Sequence, residues 1–88
     1  MTVILDGAAM HDRQAAHSHL AQRLALPDYY GRNLDALYDL LTQIGTDTEL
    51  VLLNSVALEQ NLGRYAKALM DTLADAAGEN PHLKLTVQ

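Results

Sequence analysis

The stretch LVLLN (residues 50–54) decides the fold of this chain, because a continuous apolar run is typical of a central parallel strand covered on both faces. Two other stretches have the composition of strands. TVILDG (2–7) is apolar and β-branched and ends at a glycine, and LKLTVQ (83–88) alternates like an edge strand. The sequence therefore predicts three strands, at 2–6, 49–54 and 83–87, with 49–54 in the middle.

Helical patterns fill the segments between these strands. Ala16, Leu20 and Leu24 recur every fourth residue, which is typical of an amphipathic helix, and Asp12 and Asn33 are good N-cap residues. The predicted helices cover about 13–25, 34–43, 56–61 and 64–77, with Ser55 as a third cap and Pro27, Gly31 and Gly63 in turns or breaks. Because strands joined through helices run parallel, the order β-α-α-β-α-α-β predicts an α/β fold with a three-stranded parallel sheet.

Length and composition limit the class of protein. The chain has 88 residues, 49% of them apolar, so we expect one domain over 1–88 with a core of Leu and Ala. It has no Cys, which fits a reducing, cytoplasmic location, and we expect neither a signal peptide nor a membrane span. The net charge of −5 argues against direct nucleic-acid binding and favours a basic partner.

The predicted helix at 34–43 has two unlike faces on a helical wheel. Its apolar side carries Leu34, Leu37, Leu40, Leu41 and Ile44, and its other side carries Asp35, Tyr38, Asp39 and Thr42. Asp35 and Asp39 lie one turn apart with no cation placed to pair with them, and such a pair weakens a helix by roughly 0.2–0.5 kcal/mol. An ordinary solvated face explains this pattern, but a tyrosine between acids, after a turn with Tyr29 and Tyr30, is also typical of an interface.

Other polar residues give weaker signals. His17 and His19 are two apart on a helix and point to different sides, so with His11 we expect surface residues, and neither a metal nor a cofactor. The last helix carries Asp71, Asp75 and Glu79 at four-residue spacing, as a solvated face or as an extension of a binding face. An enzyme using Asp35 and Asp39 as acid and base is disfavoured, because no histidine is placed to assist and no cleft is indicated.

The run LPDYYGRNLDALYDLLT (26–42) resembles the signature of the barstar family, the intracellular protein inhibitors of secreted microbial ribonucleases. The similarity also covers the ILDG strand, the helix ending in LALP, the LVLLN strand, and the final helix and strand, which is essentially the whole chain. It implies a small barstar-like fold and an immunity or antitoxin-like role. It also implies a binding surface, made by helix 34–43 and the preceding loop, that blocks a basic ribonuclease in a one-to-one complex, the free protein being a monomer.

The resemblance implies roles for individual residues. Asp39 matches the central aspartate that enters the phosphate-binding pocket of the ribonuclease, and Asp35 matches a second acidic contact on its guanine-binding side. Tyr29 matches a tyrosine that packs over the catalytic histidine of the ribonuclease. The other matched interface positions are Gly31, Asn33, Leu34, Tyr38, Thr42, Ile44 and Asp75.

Some positions depart from the family pattern. Tyr38 and Ile44 stand where tryptophans are usual, Asp75 stands where glutamate is usual, and Leu40 and the Pro81-His82 region replace a pair of cysteines. These changes leave the fold intact and bear on the identity of the partner and on the outer contacts. Two other functions stay open: an acidic adaptor for a basic protein that is not a ribonuclease, and an immunity protein against a toxin of different chemistry.

Overall fold

A computed structural model describes residues 1–88. The strands are β1 (Thr2–Asp6), β2 (Thr48–Leu53) and β3 (Leu83–Val87), and the helices are α1 (Arg13–Arg23), α2 (Leu34–Thr42), α3 (Ser55–Leu62) and α4 (Arg64–Glu79). A short 3-10 helix at Gly7–Ala9, which the sequence pattern did not predict, follows β1. The predicted element order is confirmed. No helix has both the length and the apolar character needed to cross a bilayer.

The sheet has β2 in the centre, paired in parallel with β1 on one side and β3 on the other. Thr2 pairs with Glu49 in the first ladder, and Thr48 pairs with Leu83 in the second. The parallel sheet and the central position of LVLLN are both confirmed. Two helices separate each strand from the next, and they give the chain the length it needs to return and begin the next strand in the same direction.

The core lies on one face of the sheet. Leu50 and Leu52 of β2 are fully buried, whereas Val51 and Leu53, which point the other way, are only half-buried. On that second face the hydroxyl of Thr86 donates a hydrogen bond to the carboxylate of Glu49 at 3.0 Å. The expectation that LVLLN is covered on both sides is therefore wrong, because an apolar strand can also lie in a two-layer fold.

Leucine fills most of the core, as the composition predicts: it supplies ten of the sixteen clustered buried residues. Helix α2 packs against α4. The buried amide of Asn80 donates hydrogen bonds to the carbonyls of Leu41 and Ile44, each at 2.9 Å. These bonds fasten the end of α2 to the turn that precedes β3 and so fix the position of α2.

The first helix ends two residues earlier than the sequence predicts. Ala25 has φ 51°, and the N–H of Leu26 bonds the carbonyl of Ala21 at 2.9 Å. A 6→1 bond of this kind closes a helix with a left-handed residue, usually glycine. Pro27, which follows, cannot continue the helix.

Some predicted turns and helix ends differ from the structure, and others agree with it. Positive φ falls on Arg32 (54°) rather than on Gly31. Ser55 is the first residue of α3 rather than its cap, since Asn54 occupies that position with φ 58° and makes no side-chain capping bond. Helix α4 continues to Glu79, two residues beyond the predicted end. The caps at Asp12 and Asn33 and the break at Gly63 are confirmed.

Candidate protein-binding face

Helix α2 turns one side to the core and the other to solvent. Leu37 and Leu41 are fully buried, while Asp35 and Asp39 are exposed. The side chain of Asn33 accepts a hydrogen bond from a backbone N–H of the first turn at 2.8 Å, which satisfies a donor that the helix leaves free. The cap and the apolar stripe together fix the direction in which the two carboxylates point.

Asp35 and Asp39 have no basic side chain within ion-pair distance. The close contacts between a basic and an acidic side chain are Lys67–Asp71 and His82–Asp47, at 2.8 and 2.9 Å. Neither contact includes a residue of α2. The repulsion between the two α2 carboxylates, expected from their spacing, is therefore not balanced by a cation of this chain.

The loop before α2 places a solvent-exposed aromatic ring, that of Tyr29, beside Asp39. Tyr29 is 81% exposed, and it lines an open depression together with Gly31, Asp39 and Gln43. Gly31 fits because the chain passes close to α2: a Cβ at this position would lie 3.3 Å from the Cβ of Ala36, which is tighter than most packing contacts. The small size of Gly31 suits this close approach, and its φ is not in the left-handed region.

A second depression lies between α2 and α4 on the other side of the acidic residues. Tyr38 lines it together with Asp75 and Glu79, both exposed on α4. Hereafter "the acidic face" denotes Asp35, Tyr38, Asp39 and Thr42 of α2, with Tyr29 on one flank and Asp75 and Glu79 on the other. The four-residue spacing of Asp75 and Glu79 left open a solvated face or an extension of a binding face, and both residues line this depression.

Four of the predicted site residues are less accessible than the acids. The half-buried positions are Leu34, Tyr38, Thr42 and Ile44, and all but Thr42 pack against the core. The hydroxyl of Thr42 donates to the carbonyls of Tyr38 and Asp39, each at 3.0 Å. Thr42 therefore contributes surface to the acidic face and not a free hydrogen-bond donor.

A buried histidine holds the loop in place, which corrects the expectation that the histidines lie on the surface. His17 is only 3% exposed, and its Nδ1 and Nε2 lie 2.5 and 2.7 Å from the hydroxyls of Tyr30 and Tyr65. Tyr30 is 7% exposed, so of the two adjacent tyrosines only Tyr29 is free for a partner. Burial, and then the charge of Arg32, lowers the pKa of His17, and burial raises the pKa of Tyr30 to about 12.

His11, which precedes α1, and His19, which lies within it, differ in their exposure to solvent. His19 is half-buried and accepts the backbone N–H of Asp6 at 2.9 Å, whereas His11 is exposed as expected. No group of three or more His, Asp or Glu side chains in the structure could hold a metal ion.

A small α/β protein with an exposed acidic helix face that no cation of the chain neutralises has the features expected of a protein that binds a basic partner. The family model described as "Barstar (barnase inhibitor)" matches residues 1–88. The chain is also 38% identical over 78 residues to the "Putative ribonuclease inhibitor YrdF" of Bacillus subtilis (strain 168), an alignment that spans 88% of this chain and 86% of the relative.

The chain belongs to the barstar family. The family predicted from the LPDYYGRNLDALYDLLT run is thereby confirmed. The members of this family are inhibitors and not enzymes, in agreement with the low weight that the sequence gives to acid–base catalysis by Asp35 and Asp39.

Proposed function

We propose that this protein inhibits a basic microbial ribonuclease by placing its acidic face in the active site of the enzyme. The observation that carries the proposal is that Asp35 and Asp39 are exposed, unpaired and one turn apart on a helix that is firmly held. Membership of the barstar family and the name of the Bacillus relative support an inhibitor of this kind.

Electrostatics supplies the physical reason. A ribonuclease active site must be positive, because it holds the phosphates of RNA, and two carboxylates on one side of a helix imitate two phosphates. Their mutual repulsion is relieved only when cations of the partner come between and around them. The net charge of −5 also speeds the encounter with a basic surface.

The resemblance to the barstar family suggests a role for each residue of the face. We assign Asp39, beside the exposed Tyr29, to the phosphate-binding pocket and Asp35 to the neighbouring base-binding side. Tyr29 packs on the catalytic histidine of the ribonuclease. The outer contacts come from Gly31, Asn33, Leu34, Tyr38, Thr42, Ile44, Asp75 and Glu79. Tyr38 and Ile44 stand where the family pattern has the larger tryptophan. We therefore expect side chains of the partner to fill the space that the smaller residues leave at these two positions.

The proposal includes a one-to-one complex, a free protein that is a monomer, a cytoplasmic location and protection of the cell that makes it. A basic secreted protein encoded in the adjacent reading frame is the first candidate partner.

Purified partner and inhibitor are mixed, and RNA cleavage is measured at several RNA concentrations. We expect inhibition that is competitive with RNA and complete at one equivalent.

The matched control is Glu59→Ala, which removes one exposed acid from α3, a helix that packs against α4 and the 3-10 helix. Glu59→Ala should inhibit like the unaltered protein, whereas Asp39→Ala should not. Binding without loss of cleavage would favour the adaptor function. Protection against a toxin that does not cleave RNA would favour the other kind of immunity protein, and non-competitive inhibition would overturn occupation of the active site.

A further inference from the structure

A basic concavity lies apart from the acidic flank of α4, between α1, the loop before α2 and the start of α4. Arg13, Arg32 and Tyr65 line it, together with Gln14, His17, Asn33 and Leu34, the last two of which are also proposed contacts of the ribonuclease. It encloses about 440 Å³ and contains no carboxylate. On a chain with eleven acidic residues and only six Lys and Arg, a hollow lined by two arginines and no acid is unexpected.

Neither arginine is neutralised by the protein. The guanidinium of Arg13 lies over the ring of Tyr65, 4.2 Å from its centroid, and makes no hydrogen bond to the chain. Arg32 donates from Nη2 to the carbonyl of Gln14 at 3.3 Å and to the hydroxyl of Ser18, both uncharged acceptors. Both guanidinium groups therefore have N–H donors left for a ligand.

Each guanidinium group has a contact that orients it. The bonds from Arg32 to Gln14 and Ser18 direct its side chain toward α1. Arg13 is stacked on an aromatic ring, which restricts its guanidinium plane. The charge of Arg32 contributes to the lowered pKa of His17, and no carboxylate lines the hollow.

We infer that this concavity binds a phosphate group. Arginine donors match both carboxylate and phosphate oxygens, but one guanidinium is enough to satisfy a planar carboxylate. A phosphate carries about −1.5 to −2 charges near pH 7 and has acceptors in several directions, as a hollow with two arginines on different elements requires. The ligand is free phosphate or a small phosphomonoester. The inference does not depend on the proposed inhibition of a ribonuclease.

The test is a titration of the unaltered protein with inorganic phosphate, followed by NMR of the arginine side-chain N–H signals. Chloride keeps the ionic strength constant. We expect saturable shifts of Arg13 and Arg32, and on the order of tenfold weaker binding in Arg13→Gln and in Arg32→Gln. The matched control is Arg23→Gln, because Arg23 is exposed, lies outside the concavity and bonds the carbonyl of Ile4. It should bind phosphate like the unaltered protein.

The outcomes separate the proposal from a general attraction of anions. Shifts that never saturate, or equal weakening by Arg23→Gln, would overturn it, as would an equal response to acetate. If Arg32→Gln unfolds, Arg13→Gln carries the test, since its side chain makes no hydrogen bond in the fold. A second titration with glycerol phosphate distinguishes the sources: tighter binding assigns the site to a phosphomonoester, and weaker binding assigns it to free phosphate.

Discussion

The carboxylate of Asp39 acts in opposite directions in folding and in binding. In the free protein it is exposed and faces another uncompensated acid one turn away, so it gives the helix no ion pair. In the proposed complex the same carboxylate lies among cations and is shielded from water. Under the proposed function, this carboxylate contributes to binding the partner and not to the stability of its own fold.

We therefore predict that Asp39→Ala weakens binding to the ribonuclease by about 2–5 kcal/mol, the range for truncating one member of a buried charge pair, barnase–barstar pairs included. The loss should lie mainly in the dissociation rate, because one acid of several contributes only part of the long-range attraction. The free energy of unfolding should stay unchanged or rise by a few tenths of a kcal/mol. Surface plasmon resonance and urea denaturation measure the two effects.

Asp35→Ala and Asp75→Ala complete this series. We expect Asp35→Ala to lose less affinity for the ribonuclease than Asp39→Ala, and Asp75→Ala to lose the least. Asp75 lies on α4 at the edge of the acidic face, where water screens its charge. If Asp39→Ala binds like the unaltered protein, or loses affinity only because it unfolds, Asp39 is not the central contact and the adaptor function becomes the better one.

His17 should make stability depend on pH. Its pKa in the folded protein is lowered by burial and by Arg32, so near pH 6.5 and below the unfolded chain binds more protons than the folded one. The free energy of unfolding should then fall as the pH drops from about 7.5 to about 5.5, by at most about 1.4 kcal/mol per pH unit for each such histidine. His19, whose pKa is also lowered, acts in the same direction.

Urea denaturation at several pH values tests this, and the informative quantity is the slope with pH. His17→Gln should reduce the slope, while His11→Gln, at an exposed position, should leave it unchanged. A flat profile for the unaltered protein, or an undiminished slope in His17→Gln, would contradict the role given to the buried ring.

The joint between β1 and α3 depends on one glycine. A Cβ on Gly7 would lie 2.8 Å from the Cβ of Leu58 and closer still to the carbonyl oxygen of Asn54. Backbone cannot move aside as a flexible side chain can, so Gly7→Ala should destabilise the protein by about 1–3 kcal/mol. Gly45→Ala is the matched control, since no atom lies within 4 Å of its Cβ. Equal melting temperatures for the two variants would refute the close approach.

The position of α2 depends on Asn80, which joins its last turn to the start of β3. Asn80→Ala leaves the carbonyls of Leu41 and Ile44 without their buried donor, and we predict a loss of about 1–3 kcal/mol in the free energy of unfolding. Asn61→Ala, at an exposed site on α3, should change stability by less than about 0.5 kcal/mol. Similar denaturation midpoints would mean that α2 is held by packing alone.

For the molecule as a whole, the charge of −5 predicts fast association that slows as salt rises. Surface charges act over only about 8–10 Å near physiological ionic strength and over longer distances in dilute salt. Stopped-flow association with the ribonuclease at rising salt should show a clear fall in the association rate and a smaller change in the dissociation rate. An association rate independent of salt would exclude electrostatic steering.

The sequence by itself determined the fold class, the order of the elements and the family. Apolar runs and four-residue periodicity are local properties, so β2 at LVLLN and the direction of Asp35 and Asp39 could be predicted without coordinates. The caps at Asp12 and Asn33 could be predicted for the same reason, because a cap satisfies backbone donors within three residues of itself.

Only the tertiary structure decided which residues meet across the chain. His17 is buried because Tyr30 and Tyr65, 13 and 48 residues away, bring hydroxyls to both ring nitrogens, and no local pattern encodes that meeting. Likewise, Glu79 joins the acidic face only because α4 packs on α2. Periodicity shows which side of an element is apolar, but the packing of elements determines which polar side chains become neighbours, since that depends on contacts between residues far apart in sequence.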